Sequence, residues 1–222
     1  MKKKTPDQEM LDLFNKLKAD GRRPRLLLNS CCGPCSTSVL EQLAEVFEVT
    51  VHFYNPNMHS EAEFDHRAKT QAQVLGELQV PLVRLLNDGW QPGGWQSAVG
   101  SLPFDGEGGA RCRACIGYRL ERTAALAARE GYGWFASTLS VSPHKDAEAL
   151  NALGAALERR YGVRYLVSDF KKRGGYQRSL QLSRAMGLYR QDHCGCQASL
   201  EERLRRSAEP HSGSSQNGRS DL

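Results

Sequence analysis

Short apolar runs alternate along this chain with longer stretches whose apolar residues recur every three or four positions. Residues 6–20 place Met10, Leu13, Phe14 and Leu17 at helical spacing before Gly21 stops the pattern. Arg25–Asn29 (RLLLN) then reads as a buried parallel strand, ending in the loop SCCGPCS. Cys35–Phe47 follows as a helix, with Val39, Leu40, Leu43 and Val46 on one face. Val49–Tyr54 is a second strand, stopped by Asn55-Pro56-Asn57, and residues 60–78 form a long polar helix. Residues 82–85 predict a third strand. The stretch 88–109, with seven Gly and two Pro, predicts an irregular loop that delivers the chain to a helix from Cys112 to Glu130. Trp134–Leu139 is a fourth strand, residues 145–161 a helix, residues 164–169 a fifth strand and residues 174–186 a last helix.

Five strands alternating with helices predict an α/β fold built on an open, mainly parallel sheet. Ligands of such sheets lie beyond the carboxyl ends of the strands. The loops carrying Cys31, Cys32 and Cys35, Asn55 and Asn57, and Ser140, Ser142 and His144 are therefore expected on one rim. The chain of 222 residues reads as one domain over 1–206. From 207 to 222 Ser, Gly, Asn, Gln and charge predict a disordered tail.

Composition narrows the class. Hydrophobic residues make up 40% and charged ones 25%, which excludes a wholly disordered chain. No run approaches the roughly 18 apolar residues of a membrane span. The basic start MKKKTPDQEM leads into no apolar segment, so no secretory signal is expected. A cytoplasmic protein with no membrane association is the expectation. Its net charge of +5 makes it mildly basic, and Lys171-Lys172-Arg173 is equally well a phosphate contact or a solvated turn.

Cysteine is the outlier. The seven fall into three groups: Cys31, Cys32 and Cys35; Cys112 and Cys115; Cys194 and Cys196. An odd, clustered set in a chain without a secretory signal points to metal or redox chemistry and away from a disulfide framework. SCCGPCS stands where a phosphate loop would, but lacks its glycines. Thiolates at a helix start gain from the dipole, so metal ligation is favoured there. Cys112 and Cys115 fit either a redox dithiol or half of a metal site completed by the first group, for zinc or for an iron–sulfur cluster. Cys194-Gly195-Cys196 fits a strained redox disulfide or two further ligands. Trp90 and Trp95 suit base stacking or packing alike. None of the six histidines shows a ligand spacing, and only His144 and His193 lie near these loops.

Taken together, LLLNSCCGPCSTSVLEQL, FYNPN, CRACIGYRLERTA, STLSVSPHKD and SDFKKRGGYQRSLQLSRAMGLYRQDHCGCQASL resemble the QueH-type epoxyqueuosine reductases, which need no cobalamin. The resemblance spans residues 26–200. It implies a three-layer fold like the adenine nucleotide alpha hydrolase (HUP) class, and reduction of epoxyqueuosine to queuosine at the wobble position of tRNA. This is the last step of queuosine biosynthesis. It further implies a 4Fe–4S cluster on Cys31, Cys32, Cys112 and Cys115, a redox-active Cys194–Cys196 disulfide, and an external electron donor. Cys35 is left as the ligand of an additional iron or a packed thiol, and the proton donor as Tyr189, Asp192 or His193. Two other readings compete. A sulfur-transfer enzyme of the PP-loop kind would require an SGGxDS-like loop, which SCCGPCS replaces. A zinc-stabilised RNA-binding module would be colourless where an iron–sulfur protein is brown.

Overall fold

The computed structural model describes residues 4–208. Five strands, β1 (Arg25–Ser30), β2 (Glu48–Phe53), β3 (Val83–Asn87), β4 (Trp134–Ser137) and β5 (Arg164–Tyr165), form one sheet in the order β3-β2-β1-β4-β5. Every pairing is parallel. The open parallel sheet expected from the alternation is therefore present.

Alternate residues of β1 explain the layers. Leu26 and Leu28 point to one face and meet Met10 and Phe14 of α1 (Pro6–Ala19), Leu40 and Leu43 of α2 (Gly33–Leu43), and Val74 of α3 (Glu61–Leu78). Leu27 points to the other face, where Leu120 and Ala124 of α5 (Ala110–Arg129) and Leu150 and Leu157 of α6 (Ala147–Tyr161) cover it. All three leucines are completely buried, as a strand covered on both faces requires. The result is a helix–sheet–helix sandwich.

Several boundaries move for local reasons. Helix α2 begins at Gly33, two residues earlier than expected, because Pro34 in its first turn has the right φ and no N–H to satisfy. Helix α6 starts at Ala147 because the Asp146 carboxylate accepts from the Glu148 and Ala149 amides. The 88–109 stretch is not wholly irregular: Pro92–Trp95 forms a short helix, α4, and Gln96–Gly100 a π-helical turn. The fifth strand stops at Tyr165 instead of residue 169. Beyond it the Asn151 side chain bonds both the amide and the carbonyl of Ser168, at 3.1 and 3.0 Å, in place of a ladder. After α7 (Gly175–Ala185), an unexpected helix α8 (Gln197–Ala208) runs two residues past the boundary set for the tail. Residues 209–222 of that tail lie outside the described residues. No helix among the described residues is long and apolar enough to cross a membrane.

Candidate active site

The strand order reverses between β1 and β4, so the chain leaves these neighbouring strands in opposite directions and opens a crevice at their carboxyl ends. Three segments converge there: the loop and start of α2 after β1, the turn Thr138–Val141 after β4, and the Cys-Gly-Cys segment before α8. The Asn55 amide donates to the Ser30 carbonyl at 3.1 Å, which ties the loop after β2 to the same rim.

The first cysteine group is compact. The sulfurs of Cys31, Cys32 and Cys35 lie within 4.8 Å of one another, with Cys31 and Cys32 3.8 Å apart. Cys32 caps α2, and Gly33 follows it where a Cβ would meet the Thr70 carbonyl oxygen at 2.8 Å. That approach draws α2 against α3. Hydrogen bonding from Cys32 and Cys35 holds Cys31 well below the ordinary thiol range, with Arg119 and Arg67 helping. The same sharing pushes Cys32 up to about 12. Metal binding would draw off the protons that this nest holds.

The other four cysteines meet around a second feature. Cys112 and Cys115, on the first turns of α5, line a narrow cavity of about 30 Å³ together with Cys194 and Cys196. The Trp95 indole N–H points at the Cys115 sulfur at 3.2 Å, and Trp95 packs on Val99 and Cys196. Trp95 therefore has a packing role, and Trp90 is fixed by its own bond to the Met58 carbonyl at 3.2 Å. Burial raises the pKa of Cys112 and pushes Cys194 up to about 12, the latter against the pull of Lys145. All seven cysteines are free thiols, so no disulfide joins Cys194 to Cys196 here.

A larger cleft of about 430 Å³ opens beside the cavity and reaches Cys31, Cys35 and Cys194. Five cations (Arg67, Arg119, Lys145, Arg190 and Arg206) line it against two carboxylates, Glu107 and Asp192. By contrast, two of the three basic residues at 171–173 are already paired: Lys171 with Asp169 at 3.5 Å and Arg173 with Asp7 at 3.1 Å. In the cleft, too, Arg67, Lys145 and Arg206 are paired, with Glu63, Glu107 and Glu202, which leaves Arg190 as the cleft cation at its mouth without a carboxylate partner among the described residues.

Three proton-donor candidates separate clearly. Tyr189 is stacked on His66 at 3.9 Å with its hydroxyl toward Glu63. Asp192 is held by Arg203 and by His193 Nδ1 at 3.0 Å, which keeps its carboxyl below the usual range. His193 lines the cleft next to Cys194, and its buried Nε2 has no hydrogen-bond partner among the described residues.

Positions 26–202 fit the family model described as epoxyqueuosine reductase QueH. The chain belongs to the epoxyqueuosine reductase QueH family. It is 38% identical over 192 residues to the Streptococcus pyogenes serotype M1 protein of that name, covering 85% of this chain and 74% of that one. It is 37% identical over 195 residues to the Staphylococcus epidermidis protein, at 86% and 82% coverage. The Thermotoga maritima protein is 34% identical over 184 residues, at 83% and 94%. QueH proteins are by that name reductases, so the chain is placed among oxidoreductases.

Two site residues escape a reading of this QueH chain by motif alone. Arg67 is 1% exposed; it pairs with Glu63 at 2.6 Å and donates to the carbonyls of Cys194 and His193 at 3.1 and 3.4 Å. The His59 amide adds a bond to the Gly195 carbonyl at 2.8 Å. The Cys-Gly-Cys backbone is therefore clamped through three successive carbonyls. Arg119, one turn beyond Cys115, is 3% exposed. Both carried a signal: a cation on a stripe otherwise buried, beside Phe64, Gln71 and Val74 for one and Leu120 and Thr123 for the other. Arg67→Met should destabilise the fold by about 3–5 kcal/mol, since Glu63 and two carbonyls would be left buried without their donor. Chemical denaturation measures the loss, and hydrogen exchange should show the opening concentrated at residues 193–196.

Proposed function

We propose that the chain reduces the epoxide of epoxyqueuosine to queuosine at the wobble position of tRNA, in the cytoplasm, with electrons from an external donor. The observation that carries this reading is the convergence of three cysteine groups on the crevice between β1 and β4 in a QueH-family chain.

The donor set fits an iron–sulfur cluster. Two thiol pairs from helix starts, Cys31 with Cys32 and Cys112 with Cys115, would supply four soft ligands; the first pair sits with Cys35, and the second lines the cavity with Cys194 and Cys196. The buried Asn57 amide, which lines the same cavity, has both its oxygen and nitrogen without a partner among the described residues, an environment suited to an added polar group. Such a cluster would supply one-electron transfer. Cys35 stands within reach of the first pair but outside this set of four.

The chain's own residues account for the rest of the chemistry. Opening the epoxide to an alkene takes two electrons and two protons, and its oxygen leaves as water. The thiols of Cys194 and Cys196 together hold that number of both, released as their sulfurs bond to each other. Burial keeps Cys194 protonated until it reacts. His193 Nε2 relays the proton toward the departing oxygen, while Asp192 on Nδ1 fixes the ring. The cationic cleft holds the phosphates of the anticodon arm, and a splayed wobble nucleotide enters toward Cys31 and Cys194.

The test uses anaerobically purified protein supplied with iron and sulfide, given epoxyqueuosine-bearing tRNA and a chemical reductant. The expected product nucleoside is lighter by one oxygen atom in mass spectra. A colourless protein holding only zinc, with tRNA returned unchanged, would overturn the proposal. Binding of the same tRNA should lose slope against salt in Arg190→Glu, whose guanidinium has no carboxylate partner among the described residues, by roughly 0.7–0.9 in the log–log plot per phosphate contact removed. Charge reversal at Lys171 and Arg173 should change it less, because those cations already face carboxylates. The opposite ranking would move the RNA to that turn.

A further inference from the structure

The guanidinium of Arg119 is among the most anomalous charges in the molecule. It is 3% exposed, and its Nε and Nη2 have no hydrogen-bond partner among the described residues. An arginine does not escape burial by losing its proton, so this charge needs an anion. No carboxylate pairs with it within salt-bridge distance among the described residues. Its neighbours are instead cysteines. Arg119 lines the narrow cavity with Cys112, Cys115 and Cys194, and it also lines the cleft with Cys31. It therefore stands at the wall shared by all three cysteine groups.

Helix geometry explains how it is held there. Cys112, Cys115 and Arg119 are spaced i, i+3 and i+7 on α5, one face of a helix. Leu120 and Thr123 on the following turn are buried, so the backbone beneath Arg119 cannot swing outward to hydrate the charge.

We propose that Arg119 is a positioning residue, a fixed countercharge whose unused N–H groups await the anionic iron–sulfur group and set its reduction potential. This rests on the cluster reading above. A donor and positive charge beside such a group stabilise its more negative, reduced form, and raise the potential. In the metal-free protein the same charge is a liability.

The two states therefore respond to substitution with opposite signs, which a merely structural arginine would not produce. In metal-free, reduced protein, Arg119→Met should melt no lower than wild type and up to roughly 2–4 °C higher. In protein supplied with iron and sulfide, the same variant should show about a tenfold weaker one-electron reduction equilibrium, a downward shift of ~59 mV. Arg119→Lys, which restores the charge, should recover most of that shift. If Arg119→Met does not fold, Arg119→Gln carries the same two expectations. A fall of several degrees in the metal-free variant, or an unchanged potential in an iron-loaded one, overturns the role given to Arg119. Wild-type protein that takes up no iron overturns the cluster reading instead.

Discussion

Cys112→Ser and Cys115→Ser should each lose most of the iron and the broad visible absorption that thiolate-bound iron gives. The expectation follows from where these sulfurs stand. Both stand on the first turns of α5 and line a cavity of about 30 Å³. Serine keeps the size but gives up the soft thiolate that iron in such clusters requires. The same loss is expected for Cys31→Ser and Cys32→Ser. Cys35→Ser is the control within the nest: its sulfur lies within 4.8 Å of the other two, yet the proposed set is complete without it. Iron retained in both Cys112→Ser and Cys115→Ser, or lost in Cys35→Ser alone, would show the ligand set to be wrong. Stability should follow loading. A bound group present at a thousandfold its dissociation constant adds about 4 kcal/mol, so the ligand variants should melt well below loaded wild type. Stripped of metal, variant and wild type should melt together.

How much of this was legible in the sequence differs by level. Strands β1, β2 and β4 were readable because each is an apolar run covered on both faces, and Leu26, Leu27 and Leu28 leave no other interpretation. Strand β5 was overestimated because an apolar run reveals burial but not the partner: past Tyr165 the backbone of Ser168 is satisfied by the side chain of Asn151. Helix α8 went unread because it buries little, with Ser199 as its one buried residue, so its apolar stripe is too thin to see. Cysteine clustering exposed the candidate site, and strand order then brought the clusters to one crevice. The cations that hold the site, Arg67 and Arg119, were not legible as functional. Arg67 does have a partner on its own helix, Glu63, and Arg119 follows Cys115 by one turn, but the carbonyls that Arg67 holds lie 126 and 127 residues away, and spacing along one element carries no record of those.

Cys194→Ser and Cys196→Ser should keep the iron, the colour and the affinity for tRNA, yet lose epoxide reduction by roughly 10⁴-fold or more, the scale on which removal of a covalently acting residue is felt. With one residue between them, the two cysteines enclose almost no chain, so a bond joining them would add little as a staple. Its value lies in being labile, since strained disulfides have the higher potentials. Gly195 makes the closure feasible: it sits at φ +112°, and a Cβ there would meet Met58 Sδ at 2.5 Å and the Arg67 guanidinium at 3.0 Å. Gly195→Ala should therefore act as a third probe, disturbing the loop while leaving both thiols in the sequence. The carbonyls of His193, Cys194 and Gly195 are fastened by Arg67 and His59, so the segment does not drift from the cavity as its sulfurs change state. Counting thiols under denaturation should find two fewer in the oxidised wild type than in the reduced form, and no such difference in either serine variant. Loss of iron in either variant would turn the pair into metal ligands. Full activity in both would remove the dithiol from the reaction and leave the two electrons to come from the external donor alone.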